Sequence, residues 1–281
     1  MSDHPMSEML VDGAWLEAHL NDPNLRIVDC GSRDAFLRAH IPGAVVPADA
    51  NFKDTNPERS RFVMPPDQFV QAMAALGIGD ETEVVAYDAA QVTAGRLWWC
   101  LNYYGHTRVR ILDGGWNQWL QDKRPMSMGD ARSEGRPAAP PAGPFTAVAH
   151  PELYATAEQV MEALKDDGAI VLDVRSDGEW NGTVTRGNKR QGHMPGNAVH
   201  LEWTNYLTPD AGKRWKSGNE LKAMFQAIGV TPDKEVVTVC QGGIRAAQAA
   251  FTLKLLGYEN VRNYDGSFGE WGNRDDTPII T

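Results

Sequence analysis

Two stretches of this chain copy each other, and an internal repeat constrains architecture more than composition does, because both copies must fold alike. Residues 38 to 45, RAHIPGAV, match 191 to 199, QGHMPGNAV, and residues 101 to 116, LNYYGHTRVRILDGGW, match 253 to 268, LKLLGYENVRNYDGSF. The step from His40 to His193 is 153 and that from Asp113 to Asp265 is 152, whereas Asp29 in LRIVDCGSRDAF lies 144 before Asp173 in AIVLDVRSDGEW. The second copy therefore carries nine extra residues, within the polar, turn-rich stretch 181 to 192, NGTVTRGNKRQG.

Between the copies, residues 125 to 145 hold five prolines and no apolar periodicity, which predicts an extended linker between domains at 1 to 124 and 146 to 281. Length agrees: 281 residues with 42% hydrophobic content exceed or match the size at which single cores stop growing, about 250 to 300 residues. Within each copy, short apolar runs alternate with amphipathic segments. AIVLDV (169 to 174) and EVVTVC (235 to 240) read as buried strands, and Ala157 to Leu164 and Ala246 to Leu256 as helices. Thr156 and Gln159 form a capping-box pair and Gly257 is a helix stop. The alternation predicts an α/β fold in which each domain is a mainly parallel sheet flanked by helices, with the site beyond the carboxyl ends of the strands.

Acidic side chains outnumber basic ones 37 to 27, for a formal charge of −10, and no basic cluster offsets this, which argues against a nucleic-acid surface. No apolar run approaches the roughly 18 residues of a membrane span, and MSDHPMSEML lacks the features of a secretory signal, so the expectation is a cytoplasmic protein without membrane contact. Cys30, Cys100 and Cys240 are too few and too scattered for a disulfide framework or a metal site.

Cys240 stands apart from the other two. It is the first residue past a strand, and CQGGIR (240 to 245) then leads into a helix. Gly242 and Gly243 let this loop curl so that its N–H groups turn inward beside the helix N-terminus, making an anion cradle with Arg245 at its edge. A cysteine there is a candidate sulfur nucleophile. A lone cysteine ending a strand is more often a small core residue, and Cys30 and Cys100, which lack such surroundings, are read that way. The first copy places VVAYDAAQVTAGR opposite VVTVCQGGIRAAQ, so Asp88 aligns with Cys240 and the first copy has no nucleophile. One domain is expected to be catalytic, the other to shape the cleft.

These residues resemble the tandem-domain rhodanese family, which includes thiosulfate and 3-mercaptopyruvate sulfurtransferases. The likeness spans nearly the whole chain and rests on AHIPGA (39 to 44), GHMPGNA (192 to 198), LDGGWNQW (112 to 119), YDGSFGEW (264 to 271) and the loop CQGGIR. The resemblance implies two rhodanese-like domains, inactive then active, with neither metal nor organic cofactor. It implies that Cys240 takes sulfur from a small donor, thiosulfate or 3-mercaptopyruvate, as a persulfide and passes it to cyanide or a thiol, by covalent ping-pong chemistry. The amides of Gln241, Gly242, Gly243, Ile244 and Arg245 would hold the negative charge, and the Arg245 guanidinium would help bind the donor unless an ion pair takes it.

Arg175 and Arg190 are placed with the loop as substrate-binding residues. For Arg175 a salt bridge with Asp173 is the competing role, and for Arg190, as for Arg186 and Lys189, simple solvation. His40 and His193 precede Pro-Gly turns and read as structural, and Trp203 and Trp271 as core or cleft wall. Where vertebrate-type members of the family carry an anion-binding arginine, this chain has Glu179, a carboxylate that would repel a doubly charged donor unless it points away. The loop lies between the cationic loops of thiosulfate enzymes and the small neutral loops of mercaptopyruvate enzymes; Arg245 favours thiosulfate. Two rivals remain: a phosphatase or arsenate reductase, whose loops follow C-x5-R where this chain has C-x4-R, and a non-catalytic sulfur carrier or interaction module.

Overall fold

The computed structural model describes residues 3–130 and 143–281, so most of the expected linker lies outside the described residues. The first half runs β1 (Leu10–Val11), α1 (Gly13–Ala18), β2 (Leu25–Asp29), α2 (Arg33–Arg38), α3 (Pro66–Leu76), β3 (Glu83–Tyr87), α4 (Thr93–Tyr103), β4 (Val109–Leu112) and α5 (Gly115–Gln121). Its strands pair in parallel in the order β1-β4-β3-β2. The second half repeats the pattern with β5 (Tyr154–Ala155), α6 (Ala157–Ala163), β6 (Ala169–Asp173), α7 (Asp177–Trp180), β7 (Ala198–His200), α8 (Gly218–Ala227), β8 (Glu235–Val239), α9 (Ile244–Leu255), β9 (Val261–Tyr264) and α10 (Ser267–Trp271). Its parallel sheet has the order β5-β9-β8-β6-β7. These are the two tandem α/β domains the repeat implies. The counterpart of β7 in the first half shrinks to a single parallel bridge, Val28 to Val45.

Local chemistry accounts for the elements. Every residue of β2 and β6 is buried, as expected of strands covered by helices on both faces. The Thr156–Gln159 capping box starts α6, and Ser176–Glu179 and Ser217–Glu220 do the same for α7 and α8. Helix α9 begins at Ile244 rather than Ala246: the last two residues of the hexapeptide after β8 form its first turn, leaving a loop of Cys240 to Gly243.

The halves share one core. Trp98 of α4 meets Phe251 of α9 edge-on at 5.2 Å between ring centroids, and one buried cluster contains residues of both helices. The helices cross where Gly95 lies so near its neighbour that a Cβ on it would stand 2.7 Å from the Gln248 Cα. The described flanks of the linker also pack on the first half: Ser127 pairs with His40, and Phe145 is buried against Phe69.

Candidate active site

Cys240 emerges from the carboxyl end of β8 and is buried, with its Sγ 3.8 Å from the Ser267 hydroxyl at the start of α10. Gly243 closes the loop with φ 78°, a left-handed conformation natural to glycine. Its Cα is wedged so tightly that a Cβ would lie 2.3 Å from Asp265 Oδ1. The N–H groups of Cys240 and Gly243 both donate to Ser267 Oγ at 3.1 Å, and that hydroxyl donates to the Tyr264 carbonyl at 2.7 Å. Phe268 and Gly269 donate from α10 to the carbonyls of Cys240 and Gln241 at 2.9 and 2.8 Å. The loop is thus tied to the start of α10 at Cys240, Gln241 and Gly243.

Ser267 is a residue that motif reading passed over, although a signal for it exists in the duplicate. Its counterpart in the first copy is Gly115, at φ 49°, and Ser267 holds φ 50°. A non-glycine residue kept in the left-handed region is strained, and here its hydroxyl organises two loop amides.

The loop of the first half shows what this backbone binds. The Asp88 carboxylate, at the position of Cys240, accepts from Ala90 N at 2.6 Å, Val92 N at 3.1 Å and Ala94 N at 2.7 Å. It is an anion held in its own loop. In the second half the N–H groups of Gln241, Gly242, Ile244 and Arg245 have no backbone or side-chain acceptor among the described residues, while that of Gly243, expected to face a ligand, is taken by Ser267. Next to Cys240, then, lie loop amides without an acceptor among the described residues and the N-terminus of a 12-residue helix.

Arg245 does not stand as a free cation. Its Nη1 and Nη2 grip Glu179 at 2.7 and 3.0 Å, and Arg186 Nε reaches the same carboxylate at 3.1 Å. Burial alone would raise the Glu179 pKa, but the paired Arg245, helped by Ser176, holds it down at about 2. Glu179 therefore does not confront a donor with an uncompensated charge: two arginines share it.

Arg175, expected to bind substrate, is buried with every guanidinium nitrogen engaged inside the protein. It pairs with Asp173 at 2.7 Å, donates to the carbonyls of Glu179 and Gly192 at 3.2 and 2.9 Å, and lies over the Phe268 ring at 3.7 Å. It braces β6 against α10, and a ligand finds no donor on it. Arg190 likewise turns from the loop: Nη1 donates to the Thr277 carbonyl at 2.7 Å and Nη2 to the carbonyls of Trp271 and Arg274, pinning the tail from 274 to 277. From the same insertion, Asn188 exchanges amide hydrogen bonds with Gln241 at 3.2 and 2.9 Å and so touches the loop, while Lys189 is exposed.

His40 and His193 stack on Phe36 and Trp180, with ring centroids 3.8 and 4.2 Å away. Trp271 is buried and bonded to the Pro278 carbonyl, and Trp203 packs against the core. Burial raises the thiol pKa of Cys100 to about 11 and lifts that of Cys30 well above its ordinary value, the latter aided by Asp88 and Asp29. Among the described residues no group of three or more His, Cys, Asp or Glu side chains is disposed to hold a metal, and no helix is long and apolar enough to cross a membrane.

With this geometry in hand, comparison with known proteins is direct. A family model described as Rhodanese-like domain matches residues 12–122 and 156–274, one match per half. A thiosulfate sulfurtransferase of Azotobacter vinelandii is 33% identical, with 99% of each chain covered, and a 3-mercaptopyruvate sulfurtransferase of Escherichia coli is 32% identical, with 96% of each covered. A sulfur carrier protein of Thermus thermophilus is 34% identical over 98% of this chain and 97% of its own. Among solved structures, a 3-mercaptopyruvate sulfotransferase from Escherichia coli superposes with a TM-score of 0.79 at 30% identity, over 92% of this chain and 98% of that one. EanB with ergothioneine linked to a cysteine persulfide superposes with a TM-score of 0.85 at 25% identity, over 98% of this chain and 70% of that one. The chain belongs to the rhodanese family, with its two domains in tandem.

Proposed function

We propose that this chain is a thiosulfate sulfurtransferase with Cys240 as its nucleophile and the first domain catalytically inactive. The Cys240 thiolate attacks the outer sulfur of thiosulfate, the sulfur–sulfur bond breaks, and sulfite leaves with the bonding pair. The persulfide is then attacked at its outer sulfur by cyanide, giving thiocyanate, or by a thiol acceptor, and the Cys240 thiolate returns.

The observation that carries this reading is the contrast between the two loops. The same backbone that holds the Asp88 carboxylate in the first half offers its amides to Cys240 in the second. Arg245 and Arg186 against the single charge of Glu179 leave one positive charge beside the loop for an anionic donor. Sulfur transfer is also what the similar proteins from Azotobacter and Escherichia are named for, and a cysteine persulfide occurs in EanB.

A second donor, 3-mercaptopyruvate, is favoured by one observation: Glu179 grips Arg245, so the loop itself presents little free charge to a dianion. Thiocyanate formation measured with each donor separates the two. Preference for thiosulfate in kcat/KM supports the main reading, preference for 3-mercaptopyruvate replaces it, and inactivity with both leaves a carrier. Cys240→Ser abolishes transfer while Cys30→Ser and Cys100→Ser retain most of it; equal loss in all three refutes a single nucleophile.

A further inference from the structure

The Cys240 loop leans on a buried ion cluster contributed largely by the other domain. Asp265, past the end of β9, touches Gly243 and is fully buried. Among the described residues, the donors to its carboxylate come from the first half: Arg96 Nη1 at 2.6 Å and Lys53 Nζ at 3.0 Å on Oδ1, and Val63 N at 2.5 Å on Oδ2. Arg96 is wholly buried and Lys53 nearly so. No other carboxylate among the described residues forms an ion pair with either.

The repeat supplies an internal control. Asp113, the counterpart of Asp265, reaches across the interface in the opposite sense and accepts from Trp215 N at 3.0 Å, mirroring Val63 N on Asp265. The Lys53–Val63 bridge of the first half is Leu207–Trp215 in the second, so Leu207 stands for Lys53, and Gln248 aligns with Arg96. The aspartate-to-amide clasp is thus common to both directions, but among the described residues a lysine and an arginine pair directly with the aspartate only on the side that serves Cys240. Arg214 and His4 act on Asp113 without a lysine or arginine ion pair forming there, so the directly paired cations answer another need than clasping the interface. Two cations on one carboxylate leave a buried positive charge, and Arg96 Nη2 has no hydrogen-bond acceptor among the described residues.

We propose that Lys53 and Arg96 are positioning residues for the catalytic half: through Asp265 they hold the Cys240 loop in place, and their surplus positive charge balances the anionic sulfur that Cys240 carries during transfer. The inference rests on the role of Cys240 proposed above. Burial opposes the charge on Arg96, yet Asp265 holds its guanidinium above its ordinary value, whereas burial and Arg96 push the Lys53 ammonium down against the pull of Asp265.

The test uses the full chain with Cys30→Ser and Cys100→Ser, so that iodoacetamide reports Cys240 alone, followed against pH. Lys53→Gln and Lys53→Met each remove one charge; a unit charge acting over about 10 Å at an effective dielectric of about 20 is worth roughly tenfold in a thiol–thiolate balance. The other charges around the loop remain: Arg245 and Arg186 with Glu179 on α7, Arg175 with Asp173 on β6, and Arg61, which donates to the Gly269 carbonyl on α10. The midpoint of the alkylation profile moves up by about one pH unit in both variants, returns in Lys53→Arg and stays put in Asp113→Asn. Folded Lys53→Gln protein with an unmoved midpoint overturns the proposal, as does an equal shift in Asp113→Asn, which would mean loosening of the interface. Because alkylation needs no sulfur donor, a shifted profile in a protein inactive with both donors refutes the donor assignment and spares this one.

Discussion

Glu179→Gln offers a quantitative check on the ion pairs behind the loop. In the folded chain the Glu179 carboxyl sits at about 2 instead of its ordinary 4.5, the burial that would raise it being outweighed by Arg245. Taken at face value that difference is about 3 kcal/mol of folding stability at neutral pH. Arg245 and Arg186 both reach water, which screens the pair, so about 2 kcal/mol is the working figure. The sign follows from the depressed value: the stabilisation is complete above about pH 4.5 and is lost as pH falls towards 2, with less than half left at pH 3. Urea unfolding of the two proteins at pH 7 and pH 3 measures it. With a slope near 3 kcal/mol per M, the variant's midpoint falls by roughly 0.7 M at pH 7, and the gap shrinks at least twofold at pH 3. No gap at pH 7, or one of the same size at both values, refutes the reasoning.

The glycines of the loop separate cleanly. Gly243→Ala forces a Cβ against Asp265 at φ 78° and costs more than about 2 kcal/mol in thermal unfolding, whereas Gly242→Ala, whose Cβ would meet nothing within 4 Å, stays within about 0.5 kcal/mol. Asp88→Ala strips the acceptor from three loop amides of the first half and lowers stability by about 2 to 3 kcal/mol in urea unfolding, while the alkylation rate of Cys240 is unchanged.

What could be read in advance was local or repeated. The duplication implied two α/β halves, and the step from Asp88 to Cys240 singled out one thiol, because alignment of the copies needs no three-dimensional knowledge. The start of α9 was missed by two residues because Ile244 and Arg245 supply a first turn whose amides need no helical partner. The partners of the charged groups were not legible. Glu179 and Arg245 lie 66 residues apart and Asp265 and Arg96 169 apart, and side-chain types alone do not say which opposite charges a fold brings together. Arg175 is the exception: a salt bridge with its near neighbour in sequence, Asp173, stands alongside the substrate-binding role in the sequence reading, and the structure forms that pair; only its place beneath Phe268 needed the packing. Ser267 was hidden by its own smallness, since DGG and DGS read alike until the φ angle of the third residue is known.

The crossing of α4 and α9 at Gly95 makes these duplicates poor modules. Helices that meet with a backbone glycine at the contact, inside a core fed by both halves, leave no seam along which the molecule could open as a hinge. Cys240 is nearly sealed, so on the role proposed for it any reactant would reach it through small movements near the loop, where Asn188 and Gln241 are hydrogen-bonded to each other, rather than by separation of the domains. The second half cut away from its partner would expose Phe251 and leave Asp265 without Arg96 and Lys53.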